Sequence, residues 1–279
     1  MINRSLIRPF EFRPNHSGRA NKISPFAQFF PFGESFAKVS PVRSIVGRRR
    51  SLLPRRVRES PTLIRVVPFL TFLALTFCQD AFGGTAARYW FYVAKTVVGT
   101  WMIWEMYPLV EEMRWKISFA GVLAGLLGFA IWVGLAELVR VMGISPGFLK
   151  LKLGGTPWNP HEVFEQDMAQ FFAIARIVGS TLVVPALEEV FFRSFLYRYI
   201  AKKDFERVPL GYYLRIPFVV TSVVFGFEHR EWLAGILCGM LFQWLVCRRR
   251  RLGDAMLAHA ITNLLLGIWV VWKDQWHYW

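Results

Sequence analysis

The sequence predicts an all-α protein, a polytopic bundle of about seven membrane-crossing helices, the count lying between six and eight. Three observations carry that prediction. Of 279 residues, 54% are hydrophobic, including 26 Phe and 12 Trp. Counting Gly in and Tyr out gives roughly 59% apolar, against about 45–50% in an average soluble domain. The apolar residues fall in long runs separated by short polar turns, and those turns are rich in Arg and Lys.

Three regions follow: a basic extension over 1–60, helices and a connection over 61–160, and a helical core over 161–279. Residues 1–58 hold 13 Lys and Arg against two acids, Glu11 and Glu34. That stretch therefore carries most of the net charge of +15, and the rest is close to neutral. Scattered Pro, Ser, Arg and Phe without a sustained period predict disorder there. A basic tail beside an apolar body reads as a membrane-surface segment. Nothing in it matches a helix-turn-helix, zinc-finger or RNA-binding signature, so no nucleic-acid partner is expected. The cysteines Cys78, Cys238 and Cys247 form no CxxC pair and sit in or beside apolar runs, as small hydrophobes.

The first span is expected over Thr62–Phe82, an uncleaved helix, because nearly 60 residues precede it and a secretory leader is shorter. Tyr89–Val110 and Ile117–Val139 follow, joined by a turn with Glu111, Glu112, Arg114 and Lys116. Residues 140–167, with Gly143, Pro146, Gly154, Gly155, Pro157 and Pro160, should be irregular and outside the hydrocarbon. Met168–Tyr199 would reach about 48 Å as one straight helix, against a hydrocarbon core of about 30 Å, so a kink at Pro185 is expected. Arg215–Glu228, at about 21 Å, is short for a full crossing. Trp232–Val246, the run Arg248–Arg251 and Leu252–Val271 complete the chain. Placing every basic turn in the cytoplasm requires seven segments, a cytoplasmic N-terminus and an outer aromatic belt of Trp269, Trp272, Trp276, Tyr278 and Trp279.

A few polar groups interrupt these runs: Glu188, Glu189 and Arg193, then His229, then His259 and Asn263. A charge toward the bilayer centre costs at least about 2.5–3.5 kcal/mol, so pairing or a wet cavity must compensate. Glu188 precedes Lys202 by 14 residues and His229 follows Arg215 by 14. Each would then lie about 21 Å along a helix from the cytoplasmic boundary. His259 and Asn263 fall in the same broad layer. Glu189 and Arg193, four apart, can form an ion pair. Glu188 points about 100° away, free to accept a proton from water and return it. His229 could share that proton, while His259 and Asn263, also four apart, project from one face toward a developing oxyanion. This is a workable amide hydrolysis site with water as nucleophile. Glu188, His229 and His259 are also zinc-type ligands, so a zinc-dependent variant competes, although there is no HExxH. Each group also has a bland reading: an ion pair locking two helices, a solvated turn histidine, an interhelical clamp. A transporter or scaffold is the competing non-enzymatic class. No internal repeat favours a transporter.

EEVFFR over Glu188–Arg193 is an EExxxR motif, FGFEH over Phe225–His229 is FxxxH, and HAITN over His259–Asn263 is HxxxN. In that order, over roughly 165–272, they resemble the CPBP family of intramembrane proteases, which includes CAAX prenyl proteases and bacteriocin-processing enzymes. The resemblance implies that Glu188 and His229 activate water, that His259 and Asn263 form the oxyanion site, and that Glu189, Arg193 and Phe225 support them. It implies no obligatory cofactor, with Zn2+ as the alternative. The partners it implies are membrane lipids and a membrane-associated protein or peptide substrate, with no soluble partner. An integral protein of a bacterial cytoplasmic membrane is expected.

Overall fold

The computed structural model describes residues 51–81, 84–142 and 157–279. Among them every regular element is helical. After a short α1 (Arg55–Glu59) come α2 (Pro61–Ala81), α3 (Ala87–Met106), α4 (Phe119–Val141), the long α5 (Gln166–Ala201), α6 (Arg215–Phe227), α7 (Trp232–Arg249) and α8 (Leu252–Lys273). The expected segments are thus all helices. Four of them, over Pro61–Gln79, Phe119–Leu138, Gln166–Ala201 and Leu252–Lys273, are long and apolar enough to cross a membrane. Polar groups such as Lys95 and Glu105 in α3, and Gln243 with Arg248 and Arg249 in α7, keep those two out of that set. Helix α6 is only 13 residues long.

Order begins earlier than expected. Residues 55–59 are helical and Leu53 packs into the main core at 5% exposure, because its side chain meets the apolar surface of the bundle. Residues 1–50, and the glycine- and proline-rich stretch 143–156, lie outside the described residues.

Close approach fixes the centre of the bundle. Helix α8 lies along α4, and a Cβ on Gly125 would stand 2.6 Å from Ile261 Cβ and 2.8 Å from the Ala258 carbonyl. Only a bare backbone fits, and the Thr262 hydroxyl, within hydrogen-bonding distance of the Ala258 carbonyl, exploits the gap to donate to Gly125 O at 3.0 Å. Helices α6 and α7 form a hairpin just as tight, where a Cβ on Gly235 would come within 2.9 Å of Gly226 Cα.

The interruption expected at Pro185 takes the form of a change in helix type. Residues Gly179–Val183 form a π-helical turn, Val184–Glu189 is α-helical, and Val190–Leu196 is π-helical again. Helix α5 therefore continues through the proline, with its hydrogen-bond register widened on either side of the α-helical turn that holds it. Such π segments often mark functional positions.

The two ends of the bundle differ. At one, Glu112 in the turn after α3 accepts from Arg65 of α2 at 2.9 Å and from Arg198 of α5 at 2.8 Å, and the Ser194 hydroxyl also donates to it. At the other, Tyr89, Trp158, Phe172, Trp276 and Trp279 form a buried aromatic cluster. The outer belt expected from the sequence is corrected here: Trp276 and Trp279 pack against Trp158 and each other, whereas Trp272 is 72% exposed. Arg176, stacked over Tyr92, Trp158 and Trp279, gives the C-terminal tryptophan a reason to fold inward.

Candidate active site

Helix α5 places Glu188 and Glu189 on the last α-helical turn before its second π segment, and Arg193 within that segment. All three are buried, at 8%, 0% and 1% exposure. Arg193 Nε lies 3.1 Å from Glu189 Oε2. The guanidinium also stacks over Phe225 at 4.1 Å, an attraction worth about 2 kcal/mol where water is excluded. Phe225 is the hub of the site: its ring lies 4.8 Å from that of His229 and 5.7 Å from that of His259.

The other oxygen of Glu189 has a partner that spacing did not suggest. His259 Nδ1 lies 3.0 Å from Glu189 Oε1. A carboxylate already facing a guanidinium acts as acceptor, so His259 donates from Nδ1. Phe242 stacks on the same ring at 5.3 Å. The imidazole is therefore oriented from one side by charge and from its face by packing. Its Nε2 stands 4.0 Å from Glu188 Oε2.

His229 is fixed by its own helix end. A backbone carbonyl can only accept, so His229 donates from Nδ1 to Phe225 O at 2.8 Å and keeps its lone pair on Nε2. Trp132 of α4 meets the ring edge to face at 5.3 Å. The sequence suggested Glu188 and His229 close enough for a direct or water-bridged hydrogen bond; no direct bond joins them, and the imidazole facing Glu188 is that of His259.

Asn263 already has one partner in the protein. One hydrogen of its side-chain amide is donated to the Ser180 carbonyl, in the first π-turn of α5, at 2.8 Å. Only the second remains for an oxyanion. The neutral, Nδ1-protonated form of His259 offers an acceptor at Nε2 and becomes a donor there only when doubly protonated.

Glu228 completes the polar set and was not singled out in the sequence. Its Oε2, like Glu188 Oε2, is buried without a hydrogen-bond partner in the protein, and the two carboxyls interact electrostatically. The available signal was its position beside His229. Cys238 is buried and directs its thiol toward the Gly128 carbonyl at 3.6 Å, which fits the packing role read from the sequence.

Residues 170–265 match the family model described as type II CAAX prenyl endopeptidase Rce1-like. The matched span is about a third of the chain and includes Glu188, Glu189, Arg193, Phe225, His229, His259 and Asn263. It agrees with the resemblance carried by the three motifs. No curated protein and no solved structure matches the chain. The similarity to CAAX proteases over this segment and the four helices long and apolar enough to cross a membrane both fit an integral membrane protein. Helices α2, α3 and α4 lie outside the matched span, yet α4 supplies Trp132 against His229 and Gly125 against α8.

Proposed function

We propose that the protein is a membrane-embedded endopeptidase that hydrolyses a peptide bond in a membrane-associated protein or peptide, using water activated by Glu188 and His229. The observation that carries this reading is the open oxygen of Glu188. It is buried, lacks a hydrogen-bond partner, and faces an imidazole that a second glutamate holds in place. Ion pairing accounts for Glu189 and Arg193 but leaves Glu188 without a structural duty.

In the proposed reaction a water lies where Glu188 and the His229 Nε2 lone pair can both accept from it. Its oxygen attacks the peptide carbonyl carbon while one proton passes to Glu188. The carbonyl π electrons move onto oxygen, and that oxyanion meets the second Asn263 N–H and the Nε2–H of doubly protonated His259, whose Nδ1–H stays on Glu189. Collapse breaks the C–N bond as Glu188 returns its proton to the leaving amine, which restores the site.

The family's description makes a lipidated C-terminal peptide the first substrate class to test. Seven crossings with a cytoplasmic N-terminus belong to the same proposal. The basic groups Arg114 and Lys116, Lys202 and Lys203, and Arg248–Arg251 all follow alternate helices, and the Arg65–Glu112–Arg198 cluster lies at that end. A bacterial cytoplasmic membrane fits this charge bias.

One observation favours a zinc-dependent variant: both imidazoles engage a carbonyl or carboxylate through Nδ1, as metal-binding histidines do. Among the described residues, however, no three His, Cys, Asp or Glu side chains are grouped to hold a metal ion, so no step is assigned to one.

The test uses the purified protein in lipid vesicles carrying a membrane-anchored peptide library, with products read by mass spectrometry. Glu188→Gln should abolish cleavage while the protein stays folded. Cleavage that persists in Glu188→Gln would refute the reading, and a protein that cleaves nothing in either form would point to a scaffold or transporter. Cleavage by the wild type that stops with a chelator and returns with Zn2+ would favour the zinc variant.

A further inference from the structure

The first π-turn of α5 has a gap in its backbone hydrogen bonding, and Asn263 fills it. In that turn the Val184 N–H bonds the Gly179 carbonyl, five residues back. The next bond in the progression would run from residue 185 to the Ser180 carbonyl. Residue 185 is proline and has no amide hydrogen, so that backbone donor is missing. Ser180 is half-buried against α8, so a donor from the neighbouring helix is at hand for this carbonyl. The Asn263 amide donates to this same carbonyl at 2.8 Å.

Helix α8 thus holds α5 at two points that bracket Glu188. One turn before Asn263, His259 takes the carboxylate of Glu189; Asn263 takes the carbonyl of Ser180. We propose that Asn263 is a positioning residue: by supplying the donor that Pro185 lacks, it keeps the π-turn in register and so sets Glu188 opposite His259. This role is additional to any contact the second amide hydrogen makes with substrate, and it rests on the endopeptidase reading for its effect on turnover. An ordinary interhelical clamp would make no reference to Pro185; the proposed role depends on it.

The test uses the full chain in detergent micelles or lipid, and reads the hydrogen bond and the chemistry separately. Ser180–Thr181 is the only Ser–Thr pair in the sequence, so carbonyl-13C serine combined with 15N threonine reports the Ser180 carbonyl alone. Asn263→Ala should move that resonance upfield. It should also lower turnover of the vesicle-bound library by about a hundredfold, the scale of a small misplacement of a catalytic group, with KM little changed. In a Pro185→Ala background, alanine returns an amide hydrogen, and Asn263→Ala should then cost less turnover than in the wild type, only the share owed to the oxyanion contact. An unmoved Ser180 resonance, or an equal loss of turnover in both backgrounds, overturns the proposal. Should Pro185→Ala not fold, Asn263→Leu decides: it keeps close to the same shape but has no donor, and it must shift the resonance as alanine does. Glu188→Gln separates the two claims. Loss of cleavage there with Ser180 unmoved by Asn263→Ala removes this inference and leaves the enzyme; a shifted resonance without any wild-type cleavage removes the enzyme alone.

Discussion

Glu189→Gln removes one charge from the most buried carboxylate of the site, and its consequences can be worked from the geometry. Glu189 divides its oxygens: Oε1 accepts from His259 Nδ1 at 3.0 Å, and Oε2 lies 3.1 Å from Arg193 Nε. An amide keeps only one acceptor oxygen. If that oxygen stays with Arg193, the NH2 faces His259, and the ring must carry its lone pair on Nδ1 and its proton on Nε2. If it stays with His259, two donors oppose each other at Arg193. Both outcomes leave a guanidinium that is 1% exposed short of its main counter-charge. Breaking a buried pair from one side costs about 3–5 kcal/mol, a large share of the roughly 5–15 kcal/mol that holds a typical domain together. Thermal unfolding in detergent should show a large fall in Tm. Turnover should fall as well, by about 10^2–10^3, because the doubly protonated His259 that donates from Nε2 loses the carboxylate that balances its charge. Nitrogen-15 shifts of the His259 ring report which nitrogen carries the proton. A second substitution divides the two effects. Adding Arg193→Met removes the stranded charge, and apolar replacement of a buried ion pair is often neutral or better for stability. The double variant should regain Tm but not turnover. Wild-type stability and turnover in Glu189→Gln would refute the assignment of Glu189 as the group that holds both partners.

Three further outcomes follow from the same structure. Burial pushes the Glu112 carboxyl up, but the Arg65 charge, the Ser194 hydroxyl and Arg198 outweigh it and hold the group below the ordinary value of 4.5. A folded-state value below the unfolded one means stability is fully present above that ordinary range and is lost as pH falls through the folded value. Tm should therefore drop in acid, and the deficit of Glu112→Gln relative to wild type should be largest near neutrality and shrink in acid; a deficit independent of pH would count against it. Gly125→Leu must push Ile261 and the Ala258 carbonyl aside, and overpacking of this kind costs about 1–3 kcal/mol, read as a lower Tm; an unchanged Tm would refute so close an approach of α4 and α8. Glu188→Met should raise Tm while abolishing cleavage, because a carboxyl oxygen buried without a hydrogen-bond partner costs about 1–3 kcal/mol; a lower Tm would mean that Glu188 also holds the fold.

The helical segments and the polar islands could be read from the sequence because hydropathy and i,i+4 spacing are local signals. Glu189 and Arg193 are such a case, four residues apart and 3.1 Å from each other. The third partner, His259, is 70 residues away and depends on how α8 crosses α5, which no local period encodes. The same holds for Asn263, whose spacing from His259 suggested a shared task, whereas Pro185 draws one amide hydrogen to Ser180. Pro185 itself was legible as an interruption. The sequence could not show that a π-turn would absorb it. The C-terminal tryptophans failed differently: composition placed them at an interface, and the cation of Arg176 together with Trp158 drew Trp276 and Trp279 inward.

Two buried clusters of carboxylate and guanidinium lie in this bundle, and hydrogen-bond saturation separates their duties. At Glu112 one oxygen takes two guanidinium groups and a serine hydroxyl, while Arg65 also reaches the Pro61 carbonyl and Arg198 the Val208 carbonyl. Each charge is met, and the cluster ties α2 and the turn after α3 to the end of α5. Around Arg193 the balance is different: one guanidinium faces Glu189, while Glu188 and Glu228 each keep a buried oxygen without a hydrogen-bond partner. A fold selected only for stability would gain by replacing those two carboxyls with apolar groups, since an unpaired buried polar atom costs about 1–3 kcal/mol. They are retained beside two imidazoles whose Nε2 atoms are not held by the backbone. The unsaturated cluster lies within the segment that matches the CAAX-protease family, whereas Arg65 and Glu112 of the saturated one lie outside it. The saturated cluster can therefore be read as the brace and the unsaturated one as the place where a substrate and a water complete the hydrogen bonding.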